Sequence, residues 1–503
     1  MKTVTLITAA MLMASGVNTF ANNNKVISFQ VGGGNMAVAD QSGGTVHNNL
    51  TLQTQIGISN DSGASQTTGT SNSVATHVQV GELNISDSIQ RDNTSLSSIF
   101  INQIGSSNGA TGIQFTVTES SGLINQIGSM NRAEAAQSLV TASSASLNQV
   151  GSLNEAGIAQ SLVTASSGFI NQAGSMNTAG VGQGTVTASS GLINQIGSMN
   201  FASVGQGVVT ASSSLINQLG SMNDADIEQE ETTASGAFVN QVGSINEAGV
   251  RQSKVTASSV FINQVGSINT ASSSQNEVIV SSGSINQIGS SNRADIIQVT
   301  VTASSGLINQ VGSLNQAFVG QSTVNESSTS ISQIGSMNAV GASQGTSTLD
   351  HNFINQVGVM NGIGISQGSG MKKTILLNQT GFMNFIGISQ SGTENVIGSN
   401  QIGAMNDARP FQILSTASSA LTNQIGIINS ASINQFTSME TSASINQIGS
   451  MNDADITQSG TALSLAFTTQ LGISNMHTTT QTGVGQTAIV VQIGNGNMGT
   501  ITQ

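Results

Sequence analysis

The chain has 503 residues, of which only 7% are charged, and it contains no Cys, Trp or Tyr and a single Pro. Typical soluble domains carry roughly 25% charged residues, so this is not the make-up of an ordinary enzyme. A formal charge of −13 argues against nucleic acid, which basic patches grip, and against electrostatic adsorption to anionic membranes.

Residues 1–21 read as a secretory signal peptide. Lys2 precedes an apolar run from Val4 to Ala14, and Thr19-Phe20-Ala21 forms a small-x-small cleavage site, with a cut after Gly16 as the alternative. That run is too short to span a bilayer, and no later segment approaches ~20 uninterrupted apolar residues. Membrane insertion is therefore not expected, and the mature chain is expected to be exported.

The remainder, 22–503, is one repeat. Twenty-one times a Gln is followed by Gly two residues on, Asn five on and Gln eleven on, at spacings of 22 to 25 residues. A period of this length marks a stacked architecture whose units bury their faces on one another. Asn/Gln-rich, charge-poor, Pro-poor composition also marks amyloid-forming segments. Apolar residues recurring in register separate the chain from a disordered tail.

Within a unit, the segment before Gly128 reads as a strand. Gly128-Ser129-Met130-Asn131 reads as a turn, with Gly and Asn accepting positive φ. A second strand follows. At its odd offsets from the leading Gln the residues are nearly fixed, with Ala at offset seven in 14 of 21 copies. Its even offsets vary freely, as in Arg132, Glu155, Thr178, Phe201 and Asp224. Fixed positions are expected to face in and variable ones to face water.

Both faces of the first strand repeat. By analogy with the second strand, the leading Gln is placed inside. The outer face then carries an apolar stripe through Ile104, Ile127, Val150, Ile196, Leu219 and Val242, with Phe100, Phe169, Phe238, Phe261 and Phe353 beside an Asn column. A contiguous apolar face usually marks an interaction surface. The connection Val-Thr-Ala-Ser-Ser, as at Val140 to Ser144, has no legible phase.

These elements predict an all-β, single-domain β-solenoid of about 21 strand-turn-strand rungs with cross-β-like stacking. The expected structural ladder is represented by Gln126, Gly128, Asn131, Ala133 and Gln137; by Gln195, Gly197, Asn200, Ala202 and Gln206; and by Gln310, Gly312, Asn315, Ala317 and Gln321. A buried amide without partners costs about 2–7 kcal/mol, whereas identical amides stacked at ~4.8 Å satisfy one another. No blocking segment is legible at either end of the repeats, so rungs are expected to stack head to tail between copies.

The motif Ser-x5-Gln-x-Gly-x2-Asn-x-Ala-x3-Gln, carried here by Ser120, Gln126, Gly128, Asn131, Ala133 and Gln137, resembles the curlin repeat. Curlins are the secreted subunits of curli, the amyloid fibres of bacterial biofilm matrix. The resemblance covers essentially 24–503. The tail Thr487-Ala-Ile-Val-Val-Gln492 is similar to that of the minor, nucleating curlin. The resemblance implies a structural subunit that self-associates into extracellular, cell-surface fibres supporting adhesion and biofilm. It also implies partnership with other curlin subunits and curli-type outer-membrane secretion machinery.

No catalytic, cofactor or metal site is expected. His47, His77, His351 and His477 lie at unlike repeat positions and read as isolated surface residues. Asp224, Asp226, Glu228 and Glu230 alternate onto one face, which reads as a solvated surface that discourages lateral sticking. Nine turns carry Met beside the Asn, Met130, Met176 and Met199 among them. Two other readings compete with the fibre subunit: a non-amyloid adhesin stalk, and an ice- or glycan-binding solenoid built on Thr columns such as Thr141, Thr164 and Thr187.

Overall fold

The computed structural model describes residues 23–43 and 45–503; the expected signal peptide lies outside them. The fold is an all-β parallel solenoid, and no helix occurs among the described residues. One compact unit extends to Gln252 and holds ten coils; a second, Ser253–Gln503, holds eleven.

Within each unit, each repeat gives one strand to each of two parallel sheets, and every strand pairs with its equivalent one repeat away. Ser121–Ser129 lies beside Ser144–Ser152 with Gln126 against Gln149 and Gly128 against Gly151. Arg132–Ser138 lies beside Glu155–Ser161 with Ala133 against Ala156 and Gln137 against Gln160. The second unit repeats this: Gln310 meets Gln333 in the first-strand sheet and Gln321 meets Gln344 in the other.

Alternation along the strands sets the core. In Ser121–Ser129 the inward residues are Gly122, Ile124 and Gln126; in Arg132–Ser138 they are Ala133, Ala135 and Gln137. The leading Gln therefore points inward, as placed by analogy, and Leu123 and Ile127 point out. Large and small residues oppose one another across this thin core. A Cβ on Gly168 would lie 2.8 Å from the Ile158 side chain, so the first strand is small where the second is large.

The turn departs from its sequence reading. The strand runs on through Gly128 and Ser129, and the positive-φ residues are Gly128 (φ 126) and Met130 (φ 55), not Asn131. Asn131 instead turns inward and is 1% exposed, because its amide has partners there that a left-handed turn residue could not reach. Gly128 is fixed by its neighbour as well as its φ: a Cβ would stand 1.9 Å from the Gly151 carbonyl oxygen one rung on.

The structure also fixes the phase of the connection. Val140 and Ser143 are buried, while Thr141 and Ala142 face out, Ala142 with φ 51. Val117, Val140, Val163, Val186 and Val209 form one column in the first unit; Val255, Val278, Val301 and Val324 form another in the second. The Ser143 hydroxyl donates to the Thr141 carbonyl (2.9 Å) and accepts from the Ser166 N–H (3.1 Å), tying each connection to the next.

Glycines at the two kinds of position should respond oppositely. Gly220→Ala puts a methyl 1.9 Å from the Gly243 carbonyl and should cost about 3 kcal/mol or more. Gly157→Ala, with open space around it and no positive φ, should be neutral or stabilise by about 0.5–1 kcal/mol. Guanidinium unfolding midpoints check this; equal shifts in the two variants would overturn the account of the turn.

Candidate functional site: amide columns and an uncharged sheet face

The predicted Gln, Asn and Ala ladder residues fall on buried columns, and the glycines on a half-buried one. Gln126 Nε2 donates to Gln149 Oε1 (2.8 Å) and to the Gly109 carbonyl (3.0 Å). Gln195 does the same to Gln218 (2.8 Å) and Thr178 (3.0 Å), and Gln310 to Gln333 (2.8 Å) and Arg293 (2.9 Å). A second column runs through Gln137 to Gln160 (2.8 Å), Gln206 to Gln229 (3.0 Å) and Gln321 to Gln344 (2.8 Å). Both amide protons and the carbonyl of Gln126, Gln195 and Gln310 are thus engaged, which removes the burial penalty.

The Asn column clamps the turns. Asn131 Nδ2 donates to the Gly151 carbonyl (2.9 Å) and to Asn108 Oδ1 (3.0 Å), while Asn131 Oδ1 accepts the Asn154 backbone N–H (3.2 Å). Asn200 and Asn315 hold Gly220 and Gly335 in the same way. Gly128, Gly197 and Gly312 are likewise positive-φ residues, their carbonyls held by Asn108, Asn177 and Asn292 of the preceding coil. Ala133, Ala202 and Ala317 are buried small residues of the second strand. All fifteen residues are therefore committed to holding rung on rung, and what meets solvent is the outer surface.

That surface is sharply divided. From Ser98–Ser106 to Gly236–Ser244 in the first unit, and throughout the eleven first strands of the second, no Lys, Arg, Asp or Glu occurs. Two apolar columns flank an outward Asn column whose amides are also bonded, Asn102 to Asn125 and Asn125 to Asn148 at 2.7 Å. Exposed apolar side chains such as Phe169, Ile196, Phe261 and Leu376 line it. Along these stretches the exposed charges stand on the second-strand face, the turns and the connections. Asp224, Asp226, Glu228 and Glu230 are all exposed there, with Glu228 3.5 Å from Arg251. Partial burial, then Glu247 and Asp226, raises the Asp224 pKa; burial and Asp453 do the same for Asp455. Like charges are thus already crowded on that face.

Several features were not legible in advance. His77 and His477 are buried rather than on the surface. His77 lies between two hydroxyls, Nδ1 to Ser86 Oγ and Nε2 to Ser88 Oγ, each 2.7 Å. Its neighbours on the facing strand are small and polar where other coils carry Ala and Ile, which makes the room and supplies the partners. Asp350 and Lys373, both 0% exposed, form an ion pair at 3.0 Å in consecutive coils of the second unit. They occupy the column that Ser143 and Ser166 hold elsewhere, and Asp350 Oδ1 accepts the Lys373 backbone N–H (2.9 Å) as a Ser hydroxyl does in other coils. Lys373 Nζ also donates to the Gly368 carbonyl. Gly370 and Gly392 stand where the Val column would continue. The signal was in the sequence as a break in two columns at once.

The Thr residues of the connections stand exposed in single file, each between a buried Val and an outward Ala (Thr141, Thr164, Thr187). Among the described residues, no group of three or more His, Cys, Asp or Glu is placed to hold a metal ion. Comparison with protein-family models and with curated proteins gives no match to this chain.

Two outcomes follow. Gln195→Leu should cost about 1–3 kcal/mol, since Gln172, Gln218 and Thr178 each lose a partner. Gln195→Glu should cost more at pH 7, because the carboxylate faces two carbonyl oxygens. Its penalty should shrink on acidification, as a neutral carboxyl regains a donor. Leu and Glu variants of equal stability, flat with pH, would show the column does not act as described.

Burial also drives the His77 pKa from 6.5 to about 4. The unfolded chain then binds the extra proton more readily. The contribution of His77 is complete above pH 6.5 and lost as pH falls toward 4, by up to about 3 kcal/mol. His77→Asn should flatten stability across that window in pH-resolved denaturant titrations; an unchanged slope would refute this.

Proposed function

We propose that the chain is the structural subunit of a secreted, curli-like amyloid fibre that supports adhesion and biofilm matrix. The observation that carries this reading is the set of in-register columns of identical, mutually bonded amides, an arrangement shared with cross-β assemblies. Each coil receives on one side what it offers on the other: Gln310 accepts from Gln287 and donates to Gln333. A coil from another copy with the same columns therefore fits where an internal coil does. Export through curli-type outer-membrane machinery and co-assembly with other curlin subunits belong to the same proposal and rest on the motif.

The test uses the purified mature chain incubated without agitation. Thioflavin fluorescence should rise with a lag that preformed fibres abolish, and aligned fibres should give a ~4.7–4.8 Å meridional reflection. A chain that keeps its β-sheet spectrum yet stays soluble under seeding overturns the fibre reading in favour of a monomeric stalk.

A further inference from the structure

The uncharged face of the second unit carries a pattern that a second copy of this chain would complete. In the eleven first strands from Ser259–Ser267 to Thr487–Asn495, one outward column lies three residues before the leading Gln. Counted from Leu376, its members one coil away are Phe353 and Gly398; two away, Ser330 and Leu421; three away, Leu307 and Ser444; four away, Ser284 and Phe467. In every one of these four pairs one residue is large and the other is Ser or Gly. The outermost pair, Phe261 and Ile489, is large on both sides.

We infer that this face pairs with the same face of a second copy, antiparallel, about a two-fold axis running along the strand direction through Leu376. That operation sets each residue opposite its counterpart on the far side of Leu376, so every Phe or Leu of the four inner pairs enters a gap left by Ser or Gly. An open trough of about 660 Å³ runs along this column from Ser330 to Ser444, lined by Phe353, Leu376 and Leu421, and takes in the gap at Gly398. Phe353, 49% exposed, is the knob that the axis delivers to it. The other apolar column, from Val265 to Ile493, is uniformly aliphatic except for Thr380, which falls on the axis.

Charge and area agree with this occupant. A −13 chain can meet its own copy without repulsion only through a neutral face, and the second-strand face carries Asp295, Asp407, Asp453 and Asp455. Eleven strands at ~4.8 Å, each contributing about 20 Å of width, offer about 1,000 Å² per copy; a stable interface needs about 800 Å². Self-complementarity is what an isologous pair requires. The inference rests on the reading of the chain as self-associating.

The full-length chain, freshly purified, is examined by sedimentation velocity. Phe353→Gly and Gly398→Phe should each weaken pairing about tenfold or more, by an emptied gap and a filled one. Gly398 has an ordinary φ, and a Cβ there meets only the end of the Leu421 side chain. The double variant F353G/G398F exchanges knob and gap and should restore pairing. Should G398F not fold, spin labels carry the test, since the chain has no native Cys. Labels at Phe382, on the Leu376 strand, should lie side by side, while labels at Ser313, three coils away, should be offset by about 29 Å along the stack. A monomeric parent, equal label distances at both sites, an unrestored double variant that folds, or capture by apolar lipid vesicles in place of pairing each overturns the inference. Fibres without pairing discard the pairing alone; pairing without fibres discards the fibre reading alone.

Discussion

Everything in this structure depends on keeping like opposite like. A Gln in an aliphatic core is a defect, but a Gln above and below another Gln has a donor and an acceptor in fixed places. Gln126, Gln149 and Gln172 each meet both needs at 2.8–2.9 Å. That arrangement requires strict parallel register, because a one-residue slip would turn every inward side chain to solvent. The register in turn imposes the glycine: coils close enough for amides to bond leave no room for a Cβ above the Gly151 carbonyl. Asn131 then locks the tight turn by bonding that same carbonyl. One interaction thereby dictates the Gln, the Gly and the Asn of the motif.

Columns also explain how the fold absorbs exceptions. Replacing a single buried Ser by a charged residue would ordinarily be costly, but Asp350 and Lys373 sit on neighbouring coils and neutralise one another. Asp350 keeps the Ser function of accepting the next backbone N–H, and the Lys373 ammonium also donates to the Gly368 carbonyl. His77 is a second case, accommodated because Ser86 and Ser88 replace apolar residues across from it. Substitution in such a fold is tolerated in vertical or facing sets, not singly.

The period, the two-strand coil and the inward phase of the second strand were legible because identical residues recur at a spacing only stacking explains; the leading Gln was placed inside by analogy alone, since both faces of its strand repeat. Two signals misled. Asn beside Gly suggested a left-handed Asn, whereas the left-handed residue is Met130; Asn has more to gain from the buried carbonyl than from the turn. A scattered His suggested surface, because burial of His77 depends on what stands nine and eleven residues later rather than on its own neighbours. The Val-Thr-Ala-Ser-Ser phase stayed hidden since its alternation is broken by Ala142 with φ 51, which shifts the period by one. The outward face was visible as a stripe, but its large-small order has meaning only once the coils are aligned.

The two Gln columns have one more property in common. In both Gln columns each Nε2 donates toward the next coil in chain order, as from Gln126 to Gln149 and from Gln137 to Gln160. The amide dipoles of these columns therefore add along the stacking direction, as peptide dipoles do in a helix, although the strands themselves run crosswise and contribute little. Within each unit the Gln columns thereby have an electrical axis, with their amide hydrogens facing one way and their amide oxygens the other, which the buried Asn column, whose Oδ1 faces the next coil, opposes in part. Two copies lying head to tail along that axis reinforce the polarity, and two lying side by side in opposite senses cancel it.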